Sequence, residues 1–255
     1  MIKTFIFKFL ISLSLLFLPS FASNYVSISP VLTEIIYALS AQDNLLGISS
    51  VCNYPEETKE KPIIGDTYFV NMEKIIQLKP DYIFSMESNK PMLAPIYQTK
   101  TKPVYFEFSN VEDIYNGINK IAKLISKEQN AKKIIDDIKN KINYNKTSNP
   151  KKILYIVQFS PLITIGNKSY INDVIEKSGH INVTSDINFS YPNITLEYAL
   201  KSNPDIVVLC YNDGIDKIKK LFPKAKIIQL NKEQQDIINR PSPRVWQAIE
   251  IFSKM

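Results

Sequence analysis

Short apolar runs alternate along most of the chain with stretches whose apolar residues recur every three or four positions. Residues 25–29 read as a strand. Pro30 then opens a helix with Leu32, Ile35, Ile36 and Leu39 on one face, and residues 45–50 give a second strand that runs into the loop Cys52-Asn53-Tyr54-Pro55. Further strands are predicted over 81–85 and 103–106. Strands alternating with helices predict a mostly parallel sheet. From Val111 to about Ile142 the pattern changes: Ile114, Ile118, Ile121, Leu124, Ile125, Ile134, Ile135, Ile138 and Ile142 keep helical spacing, with one glycine and no proline. We read this stretch as a long amphipathic helix, bent near Ser126, that acts as a rigid connector. Polar residues 143–150 close it. Residues 153–158 restart an α/β half with helices predicted over 171–177 and 243–252.

The two halves are related. The segment from Asn71 through Glu73 and Pro80-Asp81 to Phe84 recurs in kind 124 positions later, from Thr195 through Glu197 and Pro204-Asp205 to Val208. In each copy a capping residue opens a short helix and a Pro-Asp pair ends it, because proline cannot continue a helix. Glu73 and Glu197 fall in the same register of the first turn, where the helix dipole favours negative charge. For either one alone that would be sufficient explanation. A matched pair, one per half, suggests a partner gripped by both halves together.

Residues 1–22 have a basic start (Lys3, Lys8), an apolar run from Phe9 to Leu18 and the small-residue ending Ser20-Phe21-Ala22, the pattern of a secretory signal peptide. The apolar run is shorter than the roughly 20 residues a spanning helix needs. Its removal leaves 233 of the 255 residues, enough to bury a sizeable core without disulfides. Cys52 and Cys210 are the only cysteines. They fall at strand ends of different halves, where a bridge would lock the halves together, so we read them as free, partly buried thiols. The net charge of +6 falls to +4 without the leader, and the lysines are dispersed among acidic residues. No basic stripe interleaved with aromatics is present, which excludes a nucleic-acid groove.

Ser27-Ile28-Ser29-Pro30 with Thr33-Glu34-Ile35, Leu46-Gly47-Ile48-Ser49-Ser50 with Tyr54-Pro55, the segment Asn71 to Asp81, Gln158-Phe159, Gly179 with Asn182, Glu197 with Pro204-Asp205, and Arg240-Pro241-Ser242-Pro243-Arg244 occur in that order. Together they cover nearly all of the mature chain. On these segments the chain resembles the periplasmic substrate-binding proteins of iron-siderophore, haem and cobalamin importers, and most of all the cobalamin-binding ones. The resemblance implies two α/β lobes (residues 23–110 and 150–255) joined by one long helix (within 111–149), with ligand held between the lobes and little hinge closure. It implies a monomer in the periplasm that performs no chemistry and carries no resident cofactor. The ligand would be a large metal chelate, cobalamin or else haem or a ferric siderophore. Glu73 and Glu197 match the family's glutamates that meet arginines of an inner-membrane ABC permease, which works with its ATPase. Relative to cobalamin-binding members, Val51 stands where tyrosine is common and the loop near Thr67 lacks a tryptophan.

Ligands gather at strand C-terminal ends in α/β sheets. Candidates there are Cys52, Asn53 and Tyr54, the loop Thr67-Tyr68-Phe69, Met86 and Glu87, Phe159, Tyr191 and Tyr211; broad aromatic faces suit a planar macrocycle, although each aromatic alone could equally be core. In the resembling family the first arginine of the Arg240–Arg244 segment lies near the ligand. Arg244, inside the following helix, is expected to pair with a carboxylate. His180 is the only histidine, too few for a zinc or manganese set, and reads as an ordinary loop residue. Haem ligation by Tyr68 or His180 is the sharper alternative. No phosphate-binding glycine loop, Gly-x-Ser-x-Gly elbow or metalloprotease helix motif is present, and a periplasmic hydrolase is the remote alternative.

Overall fold

The computed structural model describes residues 23–66, 68–211 and 215–255. The expected signal peptide, residues 1–22, and the ligand candidate Thr67 lie outside the described residues.

Strand β1 (Tyr25–Ser27), helix α1 (Pro30–Ala38), β2 (Leu45–Ile48), α2 (Met72–Leu78), β3 (Tyr82–Met86) and β4 (Lys102–Phe106) build the first lobe. Its sheet has the order β2-β1-β3-β4 with every pairing parallel. After α3 (Val111–Leu124) and α4 (Glu128–Tyr144), the second lobe contains β5 (Lys152–Gln158), β6 (Ile163–Thr164), α5 (Tyr170–Lys177), β7 (Ile181–Asn182), α6 (Leu196–Lys201), β8 (Ile206–Leu209), α7 (Ile215–Leu221), β9 (Lys226–Gln229), α8 (Lys232–Asn239) and α9 (Val245–Ser253). The order is β6-β5-β8-β9, with β6 antiparallel to β5 and β7 alongside β5 in parallel. Ile153 to Ile156 and Ile206 to Leu209 are buried throughout, as expected where helices cover both faces of a parallel sheet.

The repeat extends to single hydrogen bonds. Asn71 Oδ1 accepts from the Lys74 amide and Thr195 Oγ1 from the Tyr198 amide, so both caps form as the sequence predicts. Each helix terminates before its proline at a left-handed residue, Lys79 at φ 48° and Asn203 at φ 46°. The aspartates that follow then clamp the neighbouring strand: Asp81 Oδ2 accepts from the Asn24 amide and Asp205 Oδ2 from the Lys152 amide, each at 2.8 Å. Each aspartate carbonyl also accepts from the start of the strand on its other side, Lys102 or Lys226. The Pro-Asp pair therefore stops a helix and aligns three parallel strands in each lobe.

The connector differs from the single bent helix expected. It is two helices, α3 and α4, broken where Ser126 takes a left-handed φ of 57°. The Lys127 amide reaches back to the Ala122 carbonyl, closing α3 as a Schellman-type end closes a helix. Between Ile125 and Ile134 only Ala131 is apolar, so no continuous stripe existed to carry one helix through. The pair is still tied to both lobes. The Val111 amide donates to Asp173 Oδ2 on α5, and Asn130 Nδ2 donates to the Leu39 carbonyl at the end of α1. One core cluster runs from Leu32 and Phe84 through Ile118 and Ile138 to Ile153, Tyr155 and Phe252, so apolar packing continues across the connector between lobes. The last helix also starts later than expected: Arg244 is its N-cap residue, not an interior one.

Candidate functional site

The strands of the first sheet end beside one another at the point where its order reverses, between β1 and its two neighbours. Ile28, Ser29, Pro30, Val51, Met86, Ser88 and Asn89 there line a cavity of about 360 Å³. This is the position where doubly wound sheets place ligands. The two lobes meet in a polar floor. Glu34 of α1, in the first lobe, has a side chain only 2 % exposed. Two arginines of the second lobe satisfy it. Arg244 donates from Nε to Glu34 Oε2 (2.8 Å) and from Nη2 to Oε1 (2.7 Å), and Arg240 Nη1 donates to Oε1 at 3.2 Å. A buried carboxylate with fewer partners would be strongly disfavoured.

Arg240 links further groups. Its Nη1 donates to Asn53 Oδ1 (2.6 Å), its Nη2 lies 3.2 Å from Asp236 Oδ1, and Asn53 Nδ2 donates to Asp236 Oδ2 at 2.9 Å. Burial works against the charged form of Asp236, but the Asn53 hydrogen bond and the Arg240 and Lys232 charges outweigh it and hold the carboxyl below its ordinary value. Arg240 and Asp236 stand one turn apart at the end of α8, a register set by its capping box: Asn231 Oδ1 accepts from the Gln234 amide while the Gln234 side chain accepts from the Asn231 amide. Behind the floor the Arg244 guanidinium lies 3.9 Å from the centre of the Tyr54 ring, in cation–π contact. Tyr54 faces a cavity of about 370 Å³ on the connector side, shared with Tyr37, Ile138 and Trp246.

The other sequence candidates are dispersed. Cys52 is buried, with its sulfur 3.2 Å from Thr33 Oγ1; burial pushes the thiol up to about 11, so it stays protonated. Cys210 is half-buried and free, and accepts from Asn239 Nδ2. Tyr68 and Phe69 are 89 % and 62 % exposed on a tight loop in which both amides donate to Asp66 Oδ1. Gly65 permits that loop: it holds φ near +150°, and a Cβ would sit 2.3 Å from the Phe69 carbonyl. Met86 lines the strand-end cavity, while Glu87 pairs with Lys90 at the surface. Phe159 and Tyr211 both pack against the second lobe's apolar cluster with Leu209 and Ile218. Lys217 Nζ lies 4.7 Å from the Phe159 ring centre, and the buried Tyr211 hydroxyl has no partner among the described residues. Tyr191 is half exposed. His180 occupies a loop as expected but is buried: Nδ1 accepts from the Lys151 amide and Nε2 donates to the Phe252 carbonyl, leaving neither nitrogen for a haem iron.

The family model described as periplasmic binding protein matches residues 26–242. The chain belongs to that family. It is 27 % identical over 238 residues to the vitamin B12-binding protein of Vibrio parahaemolyticus, covering 88 % of this chain and 86 % of that protein. Among solved structures it is similar to a possible iron-binding, periplasmic solute-binding protein from Staphylococcus epidermidis (TM-score 0.81, 27 % identity, 91 % and 98 % of the two chains covered). It also shares the fold of a periplasmic haem-binding protein of Vibrio cholerae (TM-score 0.78, 18 % identity, 91 % and 98 % covered). Members of the periplasmic binding protein family carry substrates to ABC permeases and are not enzymes. Among the described residues, no helix is long and apolar enough to cross a membrane.

Within this periplasmic binding protein fold, the two glutamates of the repeat stand on α2 and α6, both exposed. Sequence reasoning did not single out Glu34 and Asp236. Each left a trace: Glu34, with Thr33, interrupts the apolar positions of Val31 to Ile36, and Asp236 precedes Arg240 by one helical turn.

Proposed function

We propose that this chain is the periplasmic receptor of an ABC importer, that it captures cobalamin between its lobes, and that residues 1–22 direct its export. The observation that carries the reading is the floor that joins the lobes, in a chain that also has a cavity at its strand ends and whose relative of 27 % identity is named for vitamin B12. A guanidinium held by three neighbours keeps unused donors for a ligand's amides, carboxylates or phosphate. Arg240, 13 % exposed, is that group, and Tyr68, Phe69 and Tyr191 supply exposed aromatic faces. The receptor acts as a monomer with no resident cofactor. Glu73 and Glu197, one per lobe, dock onto basic groups of the permease.

Ultraviolet-visible titration of the purified mature protein with cyanocobalamin and with hemin tests the ligand. Saturable perturbation of the corrin spectrum is expected; a saturable Soret shift with no corrin response would replace cobalamin by haem. For haem the ligating group would be Tyr68, whose exposure makes it available where His180 is not. Docking is tested separately. Glu73→Arg with Glu197→Arg should leave ligand affinity unchanged and abolish transport, and normal uptake by that variant would remove the docking role.

A further inference from the structure

The matched helices share more than a glutamate. Met72 and Leu196 open them, Glu73 and Glu197 follow, and Ile76 and Leu200 come three residues later, every pair in the same 124-residue register. Ile76, Leu196 and Leu200 are 45 %, 38 % and 42 % exposed, while Ile75 and Ala199 turn to the core fully buried. Ile75, with Met72 and Leu78 beside it, makes the core contact of α2 and Ala199 that of α6, and Ile76, Leu196 and Leu200 lie outside both clusters. A spacing of three brings Ile76 beside Glu73 and Leu200 beside Glu197, and a spacing of four brings Leu196 beside Leu200. An exposed apolar side chain on its own means little, but an acid with an exposed apolar residue three positions on, present once per lobe in matched register, offers a partner both a steering charge and apolar area to bury.

The residues one turn after the acids do not match. Lys201 Nζ lies 2.7 Å from Glu197 Oε1, whereas the equivalent residue in the first lobe is Gln77, whose Nε2 is 3.4 Å from Glu73 Oε1. Glu197 thus already has a cation, and among the described residues Glu73 has none within ion-pair distance.

We infer that the permease-docking surface is two apolar–acidic patches, Glu73 with Ile76 and Glu197 with Leu196 and Leu200, and that Lys201 makes the second patch the weaker. This rests on the docking reading given above. The partner fitted by such a surface presents two basic side chains, each ringed by apolar ones. Charge complementarity sets the register, and burial of Ile76 and Leu200 supplies affinity. At the second patch the incoming cation must first displace Lys201.

Binding of the immobilised, cobalamin-loaded protein to a cobalamin-transporting permease–ATPase complex in lipid nanodiscs tests the inference. Ile76→Ser with Leu200→Ser should weaken binding on the order of tenfold, with melting temperature and cobalamin affinity unchanged. Lys201→Gln should tighten it about two- to fivefold, and Lys59→Gln, which opens a comparable exposed pair elsewhere, should not. Glu73→Gln should weaken binding more than Glu197→Gln. If the double charge reversal abolishes binding while the serine and Lys201→Gln variants match wild type, the patches are refuted and docking by the glutamates stands. If the double reversal binds normally, the docking reading fails and the patches with it.

Discussion

Glu34 and Glu197 are the same side chain in opposite surroundings. Glu34 is sealed between the lobes with three hydrogen bonds from two arginines; Glu197 has a side chain 74 % exposed and one lysine beside it. In low dielectric an unpaired charge is so unfavourable that the pairing is obligatory, whereas water and salt reduce an exposed pair to a fraction of a kcal/mol. Buried charge therefore fixes where one lobe stands relative to the other. Exposed charge contributes little to folding, which leaves it available for recognition. On the function proposed above, placing both kinds in one chain separates the geometry of the ligand site from the chemistry of docking.

The sharpest test of this contrast is Glu34→Ala. It leaves two guanidinium groups facing each other without their carboxylate, and breaking a buried ion pair from one side costs about 3–5 kcal/mol. Chemical denaturation should show that loss, and Arg244→Ala combined with it should be strongly non-additive, since the residues share two hydrogen bonds. A Glu34→Ala variant within 1 kcal/mol of wild type would remove the floor as a structural device.

The two arginines should then divide. Arg244 makes the bidentate bond and stacks on Tyr54, so Arg244→Ala should mainly lower stability. Arg240 holds Glu34 by one longer bond and reaches Asn53 and Asp236, so Arg240→Ala should weaken ligand binding by about 1.5–3 kcal/mol, the range of a charge-assisted hydrogen bond. Calorimetric titration read beside melting temperatures distinguishes the two. Unchanged ligand affinity in Arg240→Ala would confine this residue to the floor.

His180 extends the comparison to a buried group whose charge the fold refuses. Burial lowers its pKa, and the Lys151 amide donates to Nδ1, which protonation would oppose. Because the folded value lies below the ordinary value of about 6.5, the unfolded chain takes up the proton first. Stability is complete above about pH 6.5 and declines as pH falls below it. Melting temperatures measured between pH 7.5 and 5 should drop, and the drop should flatten in His180→Gln; an identical slope in that variant would assign the acid sensitivity elsewhere.

The repeat units were legible because everything that defines them is local. Asn71 and Thr195 cap, Pro80 and Pro204 stop, and the paired aspartates sit at fixed offsets, so strand, helix and register follow from neighbours in sequence. The break at Ser126 was visible only as a bend, because the gap in the apolar stripe says that a helix weakens there without saying that the chain will turn left-handed. The floor was half legible. A carboxylate inside Val31 to Ile36 shows that burial will demand a cation, but the cations lie more than 200 residues away, and only the folded topology brings Arg244 to 2.7 Å and Arg240 to 3.2 Å. A resemblance was enough to single out Arg240, but its bonds to Glu34, Asn53 and Asp236 could not be read from the sequence.

The smallest expected effect completes the contrast. Glu73→Gln and Glu197→Gln remove charge while keeping shape, and neither residue is buried or part of the floor. Glu197 loses only an exposed pair with Lys201, and Glu73 only a 3.4 Å contact from Gln77, so the helix-dipole term is nearly all that remains. Unfolding free energies should stay within about 0.5 kcal/mol of wild type, and any difference should shrink as salt is raised from 0.05 to about 0.5 M, where screening exceeds the reach of a surface charge. A loss above about 1.5 kcal/mol in either variant, persisting in high salt, would mean that the outer glutamates help to hold the lobes, and the separation between structural and recognition charge would fail.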